Sequence, residues 1–200
     1  MDRAQIHTLE AFLAALLLVA AILFATQATA VTPLSASTSN QHIENQHRAM
    51  TTDLLAVTHE NGSLEGGLTY WNTTHGEKFN DSNTDLGYYT HVPPEENPLH
   101  EPLKDAFGEG QLAYNVEVTY LTDAENTSTQ TMIHMGTPSD NAVTATKTVV
   151  LYDDDEISWE DEARTLGELY DDEPGNFYAP NVDDSTLYNV VEVRITIWRM

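Results

Sequence analysis

The sequence predicts an α+β protein in which an N-terminal transmembrane helix and an amphipathic extension precede a single antiparallel β-rich head domain. Residues 11–25 form an unbroken apolar run, and no charged residue lies between Glu10 and Glu44. Apolar residues then recur at helical spacing over 43–57. In Leu112–Leu121, large apolar residues alternate with small or polar ones as far as Tyr120. These periods of about 3.6 and 2 are typical of helix and strand, respectively.

The apolar segment, residues 11–31, reads AFLAALLLVAAILFATQATAV. About 20 helical residues span a hydrocarbon core of roughly 30 Å, so this segment is long enough to cross a bilayer. The predicted divisions are a leader at 1–10, the transmembrane helix at 11–31, a stalk at 32–62 and an extracellular domain at 63–200. We expect Pro33 to kink or interrupt the helix, because proline lacks the backbone N–H that a helix requires.

Two interpretations of the N-terminus need no family comparison. Ala28-Thr29-Ala30 fits the small-residue cleavage pattern of a secretory signal, although the residues before the apolar run lack net positive charge. Alternatively, the segment is an uncleaved signal anchor. Arg3 would then hold the N-terminus in the cytoplasm while the acidic remainder is exported to the cell surface.

A third interpretation comes from the leader itself. Residues 3–10, RAQIHTLE, run directly into the apolar segment, and they resemble the leader of archaeal type IV pilin-like proteins. The resemblance implies that a prepilin peptidase cuts near Arg3, Ala4 and Gln5 and leaves the helix in the mature protein. Glu10 would be the fifth mature residue if cleavage follows Gln5, whereas Ala4-Gln5 favours a cut one position earlier. The resemblance implies that Glu10 meets a neighbouring subunit's terminal amine; otherwise it marks the membrane boundary.

The head is expected to be rich in strands. Candidates are 68–71, 87–92, 112–121, 129–135, 143–152 and 187–198, and the last two are predicted to be central because they are rich in β-branched residues. Asn61-Gly62 predicts the end of the amphipathic helix, which carries Ile43, His47, Met50, Leu54 and Val57 on one face. Short helices are predicted around residues 99–107 and 159–170, the latter with Trp159, Ala163, Leu166 and Tyr170 on one face.

Further blocks extend the resemblance towards the C-terminus. Residues 136–145 read GTPSDNAVTA, residues 148–155 read TVVLYDDD, and residues 187–198 read LYNVVEVRITIW. They resemble segments of pilin-like membrane proteins of halophilic archaea, whose members are mostly described only as domains of unknown function. The resemblance therefore implies a class of protein and leaves its task open.

The strong negative charge of the chain excludes nucleic acid as a partner and favours a solvent of concentrated salt. The chain has 32 Asp and Glu residues against 8 Lys and Arg, with a formal net charge of −24. Nucleic acid is an unsuitable partner, because each phosphate contact needs a cationic group. Concentrated salt shortens the Debye length to about 3 Å and removes most of the self-repulsion, so the composition predicts a halophilic fold. The absence of cysteine excludes disulfides and thiol chemistry.

Sites for chemistry are scarce. The sequence has no GxSxG, phosphate loop, GxGxxG or HExxH motif, and His42 and His47 lack helical ligand spacing. The acidic run from Asp153 to Glu162 offers oxygen ligands for Ca²⁺ or Mg²⁺ but lacks the glycine-centred pattern of a calcium loop, which favours a solvated loop. We predict no catalytic residue, metal or cofactor. Four sequons supply the candidate glycosylation sites Asn61, Asn72, Asn80 and Asn126.

Taken together, these features predict a non-catalytic, membrane-anchored pilin-like subunit that assembles with other such subunits in a surface filament or membrane complex. The bilayer contact is residues 11–31, and the C-terminal domain lies outside the cell. The alternative is an anchored module that binds a solute or surface, in which the helix is only a tether. A surface hydrolase that uses the acids of 153–162 is a third interpretation.

Overall fold

The computed structural model describes residues 3–72, 78–79, 87–108, 112–122, 126–158, 164–173, 175–182 and 185–199. The side chains of 3–6, 26–40, 72 and 78 lie outside this description. The order of elements is α1 (Arg3–Glu60), α2 (Ser63–Thr69), β1 (Trp71–Asn72), β2 (Lys78–Phe79), α3 (His100–Leu103), a π-helical turn (Lys104–Gly108), β3 (Leu112–Leu121), β4 (Thr127–His134), β5 (Val143–Tyr152), α4 (Leu166–Asp172) and β6 (Leu187–Arg199). The predicted α+β class is confirmed.

The centre of the fold is a four-stranded antiparallel sheet in the order β4-β3-β6-β5. The prediction that residues 143–152 form a central strand is wrong, because β5 lies at an edge. Strands β3 and β6 occupy the middle, and buried valines and isoleucines face the core from both. The β-branched composition of residues 143–152 therefore indicated a strand but did not indicate whether it lies at the centre or the edge of the sheet.

Helix α1 runs without interruption from Arg3 to Glu60, so the expected interruption at Pro33 is wrong. Pro33 is helical, as are the polar residues that follow it. The chain divides into two compact units, Met1–Ile43 and Glu44–Met200, and α1 contributes to both. The second unit contains the sheet and the core.

The buried face of α1 is rotated slightly from the predicted stripe. Met50 and Leu54 pack against the core as expected, but Val57 is 56% exposed. Leu55, Thr51 and Thr58 are buried instead. Both threonine hydroxyls donate hydrogen bonds to helix carbonyls one turn earlier, which satisfies their polar groups inside the core. A search for apolar residues alone passes over such threonines.

The strand predicted at 68–71 is wrong except at Trp71, where β1 begins, and the strand predicted at 87–92 is wrong. Residues 63–69 form α2, in which Leu64 and Leu68 are buried at the i, i+4 spacing of one helical face. Gly67 is required in this helix because a Cβ there would collide with the side chain of Leu99. Residues 87–92 contain a single bridge, from Tyr89 to Ile133, and no continuous strand.

The helix predicted around residues 99–107 is confirmed as α3 and the π-helical turn, and the one predicted around 159–170 exists in a shorter form among the described residues. Helix α3 continues as the π-helical turn, and both bury their apolar side chains at Leu103 and Phe107. Helix α4 begins at Leu166 because Thr165 and Glu168 form a reciprocal capping box. Trp159 and Ala163, predicted on its apolar face, lie outside the described residues. Asn61 and Gly62 end α1 as predicted, and Gly62 adopts φ 78°.

Candidate membrane and assembly segment

The candidate functional segment is the N-terminal third of α1. His7–Ala25 is 19 residues long, has a mean hydropathy of 2.4 and is unburied throughout. At 1.5 Å per residue, its length is about 28 Å, close to the thickness of a hydrocarbon core. This segment is therefore long and apolar enough to cross a membrane.

The apolar side chains of this segment point in all directions around the helix. Large side chains exposed by half or more occur at consecutive positions: Leu16, Leu17, Leu18 and Val19, and again Ile22, Leu23 and Phe24. Consecutive residues on an α-helix are about 100° apart, so four in a row encircle the axis. A soluble helix normally restricts such residues to one stripe. This segment consequently lacks the polar face that water would require.

Glu10 lies at the start of the apolar segment and has a histidine neighbour on the same helix. Its Oε2 is 3.7 Å from Nδ1 of His7, three residues earlier, and both side chains are more than three-quarters exposed. A histidine pairs with a carboxylate through charge only when it is protonated. The carboxylate is therefore accessible to a partner group in addition to His7.

The predicted processing residues Arg3, Ala4 and Gln5 belong to α1, but their side chains lie outside the described ones. The helix begins at Arg3 and continues into the apolar segment. A peptidase that cuts here would have to bind an unwound form of these residues, because proteolysis needs an extended backbone at the scissile bond.

The described sequon residues occur at separate places in the head. Asn61 is exposed in the turn after α1, where its Oδ1 accepts a hydrogen bond from the backbone N–H of Ser63 at 2.9 Å. Asn126 is exposed at the start of β4. Asn72 ends β1 with its side chain outside the description, and Asn80 lies outside the described residues.

The described part of the acidic run is held by local hydrogen bonds. Oδ2 of Asp155 accepts a bond from the backbone N–H of Tyr152 at 2.8 Å, and Oδ1 of Asp153 accepts one from the Asn181 amide at 3.0 Å. Burial raises the pKa of Asp155, and the nearby Asp154 and Glu65 raise it further. Among the described residues, no three acidic or histidine side chains are arranged to hold a metal. Residues 160–162 lie outside the described ones.

Tyr114 and Tyr178 are among the tyrosines buried in the described part of the head. The hydroxyls of Tyr114 and Tyr178 are buried without hydrogen-bond partners, and burial raises the pKa of both. They consequently remain protonated at neutral pH. An enclosed apolar space between α1 and the sheet measures only about 10 Å³, at the lower limit for one water molecule.

A further surface was not predicted from the sequence. The face of the sheet turned away from the core, here called the outer sheet face, carries threonines from all four strands: Thr119, Thr129, Thr144, Thr146, Thr148 and Thr196. Thr119 is the register partner of Thr129, and Thr144 is the register partner of Thr196. Thr146 and Thr148 alternate along β5 with residues that face the core. The missed signal was the near-absence of acidic residues at these alternating positions.

Comparison with known proteins places the whole head and the apolar helix in one family. No curated protein and no solved structure matches the chain. A family model described as a family of unknown function, DUF7288, matches residues 3–197. Since the match covers nearly the full length, from the start of α1 into β6, the chain belongs to the DUF7288 family.

Proposed function

We propose that this protein is a membrane-anchored, pilin-like subunit that assembles with other such subunits through its N-terminal helix. The head lies outside the cell, the N-terminus is cytoplasmic, and the assembly is a surface filament or membrane complex. The observation that carries the proposal is the apolar segment His7–Ala25, which is exposed on every side and carries a carboxylate at Glu10, near its start.

The head supports this proposal because it needs nothing from the apolar segment to complete its own core. Helices α2, α3 and the 44–60 part of α1 supply the buried side chains that face the sheet, including Leu55, Leu64 and Leu103. The exposed leucines of residues 7–25 therefore have no role in the core of the second unit. A bilayer or neighbouring helices would remove them from water, at a gain of about 25 cal/mol per Å² of apolar surface.

Glu10 gives the helix a means of specific contact. A carboxylate at the edge of a hydrocarbon medium costs several kcal/mol unless a partner neutralises it. The terminal amine of a processed neighbour would be such a partner and would fix the register between two helices. An anchor that serves only as a tether has no need for a charge at this place.

The proposed role is non-catalytic and takes place in concentrated salt. Asp155 and Asp153 accept hydrogen bonds from a backbone N–H and a side-chain amide, and the buried Tyr114 and Tyr178 are protonated. The net charge of −24 suits a hypersaline exterior. The asparagines at 61 and 126 are accessible for glycosylation in that location.

The first test examines whether Glu10 is needed for contact between helices. The chain contains no cysteine, so an Ala15→Cys variant reports contact between two copies as a disulfide-linked dimer after oxidation in native membranes. Adding Glu10→Ala should lower the dimer yield by about tenfold or more, because tenfold corresponds to 1.4 kcal/mol and an unpaired charge costs more than that. Adding Glu60→Ala, an exposed acid on the same helix, should leave the yield unchanged.

Membrane content is measured for each variant before oxidation. Equal yields in Glu10→Ala and its parent would show that the helix is a simple anchor and would contradict the proposed role of Glu10. A scrambled apolar sequence of the same composition that still gives the dimer would contradict helix-mediated assembly altogether.

A further inference from the structure

The outer sheet face differs from the rest of the chain in charge. The four strands hold two of the 32 acidic residues, Glu117 and Glu192, and three of the eight Lys and Arg residues, Lys147, Arg194 and Arg199. An even distribution would place several more acids there. Within the head, the sheet is therefore a region with few acidic residues.

Burial does not explain this charge balance on the outer face. Thr144, Thr146 and Thr148 are exposed on β5, and each occupies a position where an acid would be accessible to solvent. Val150 and Tyr152 continue the same line and are 37% and 46% exposed. A weakly charged, partly apolar surface on a strongly acidic chain marks a place where another acidic molecule can approach with little repulsion.

The charges that remain on this face form one group. Arg194 on β6 donates a hydrogen bond to Glu192 at 3.0 Å. Across the neighbouring strands, Arg194 is the register partner of Glu117 on β3 and of Thr146 on β5. The face thus has a single cation with carboxylates beside it and threonines around it. Such a group can pair with a copy of itself, because a two-fold axis can set each arginine opposite the other copy's glutamate.

We propose that the outer sheet face docks against the same face of a second copy of this chain, with Arg194 and the two glutamates near the two-fold axis. This proposal rests on the proposed function, because it assigns a head-to-head contact to subunits that the N-terminal helix brings together. The contact is between sheets, with threonine methyl groups and hydroxyls as its main surface.

The free edge of the sheet is a less suitable site for the same partner. Strand β5 is an edge strand, and Lys147 at its middle has the parity of the core-facing residues Ala145 and Val149. An inward-pointing lysine on an edge strand is a common device against pairing with a further strand. Docking therefore uses the face and not the edge of the sheet.

The size of the face makes the contact dependent on the membrane anchor. Ala113, Asn115 and Trp198 at one end of this face are buried within the chain, so the accessible part is about six paired residues long. Four strands about 4.8 Å apart then cover roughly 400 Å² per copy. Two such faces bury about 800 Å², which is below the size of a standard specific interface. Tethering two heads to one membrane raises their effective concentration, which compensates for a small interface. The test consequently uses the full chain in native membranes.

Single-cysteine variants test the contact directly. Thr146→Cys and Thr148→Cys place a thiol on the outer sheet face, and Glu96→Cys places one at an exposed position outside the sheet. After oxidation, we expect a disulfide-linked dimer from the two sheet variants at a yield at least tenfold above that of Glu96→Cys. Equal yields from all three, with the head folded by circular dichroism, would overturn the proposal.

Charge reversal tests whether the group around Arg194 contributes. In the Thr146→Cys background, Arg194→Glu should lower the dimer yield severalfold, because three carboxylates per copy would then face three more. The swap Arg194→Glu with Glu192→Arg restores one cation on each copy and should restore the yield. A yield unaffected by the reversal, or a reversal that the swap does not rescue, would contradict the proposed pairing.

The failure of this inference can be distinguished from the failure of the proposed function. If Ala15→Cys gives the helix dimer while Thr146→Cys and Thr148→Cys do not, assembly stands and the head contact is wrong. If the sheet variants give a dimer and Ala15→Cys does not, the head contact stands and assembly through the helix is wrong. Loss of both dimers would overturn both.

Discussion

The two parts of α1 carry apolar side chains in different arrangements. In residues 7–25 consecutive leucines are exposed on all sides, as at Leu16 and Leu17. In residues 44–60 the apolar side chains alternate between one buried side, as at Leu55, and an exposed side, as at Val57. A helix that is apolar all round needs apolar surroundings, whereas a striped helix needs one packed neighbour. The two parts of α1 therefore suit different surroundings.

The largest expected effect comes from charging the all-apolar part. Leu16→Arg with Leu17→Arg should abolish membrane association, since each central arginine opposes insertion by about 2.5–3.5 kcal/mol. The matched control, Thr52→Arg with Val57→Arg, adds the same charge to exposed positions of the striped part and should change nothing. Membrane and soluble fractions are compared by ultracentrifugation in high salt. Two soluble variants, or two membrane-bound ones, would contradict the difference between the two parts.

A cavity in the striped part should destabilise the head. Leu55 is 1% exposed and packs between α1 and the sheet, so Leu55→Ala should lower the free energy of unfolding by about 2–5 kcal/mol. Val57→Ala, two residues on, should change it by less than about 0.5 kcal/mol because its side chain is exposed. Denaturant unfolding of the full chain in detergent, followed by tryptophan fluorescence, measures both. Equal losses would show that the buried stripe is placed incorrectly.

Salt concentration should affect the stability of the acidic head but not the membrane association of the apolar segment, residues 7–25. We expect the melting temperature of the head to rise steadily between low and molar NaCl, because screening weakens the repulsion among carboxylates. Membrane association of residues 7–25 should not depend on salt, since the segment carries one carboxylate at its edge. Potassium chloride serves as the control and should act like NaCl. A melting temperature that is independent of salt would argue against the halophilic interpretation.

The smallest expected effect concerns Asp155, whose pKa is raised by burial from its ordinary value of 3.8. An acid with a raised folded-state pKa costs stability while it is ionised, and this cost disappears as the pH falls below the unfolded-state value. Asp155→Asn keeps an oxygen for the Tyr152 N–H, so it should slightly stabilise the head at pH 7. The gain should vanish below about pH 4, and Asp171→Asn, on an exposed acid of α4, should give none. A loss at pH 7 would contradict the role of burial.

Periodicity predicted those elements of the fold that bury one face against the core. The alternation in β3 and the β-branched runs of β5 and β6 gave strands close to their observed bounds. Periodicity gave a wrong prediction where the structure depends on a contact between residues that are far apart in the sequence. Gly67 is helical in α2 beside Leu99, more than thirty positions away, and nothing local to residues 63–69 indicates that neighbour.

The candidate segment was predictable because a membrane imposes its requirement on composition alone. Residues 11–25 need no knowledge of tertiary structure to be identified as apolar and long enough. The outer sheet face could not be predicted from the sequence, because the residues that form it depend on which strands are neighbours. Arg194, Glu117 and Thr146 become one surface only through the order β3-β6-β5.

The most direct test of the central claim is the N-terminus of the mature protein from native membranes, measured by mass spectrometry. If the helix is retained for assembly, the mature protein has a new N-terminus between Ala4 and Ile6, with the whole apolar segment kept and Glu10 near the start of the chain. A mature protein that begins at Val31 would show a cleaved secretory signal and contradict the account, because the helix that is proposed to assemble would be absent. An intact Met1 would contradict prepilin processing and leave a simple anchor.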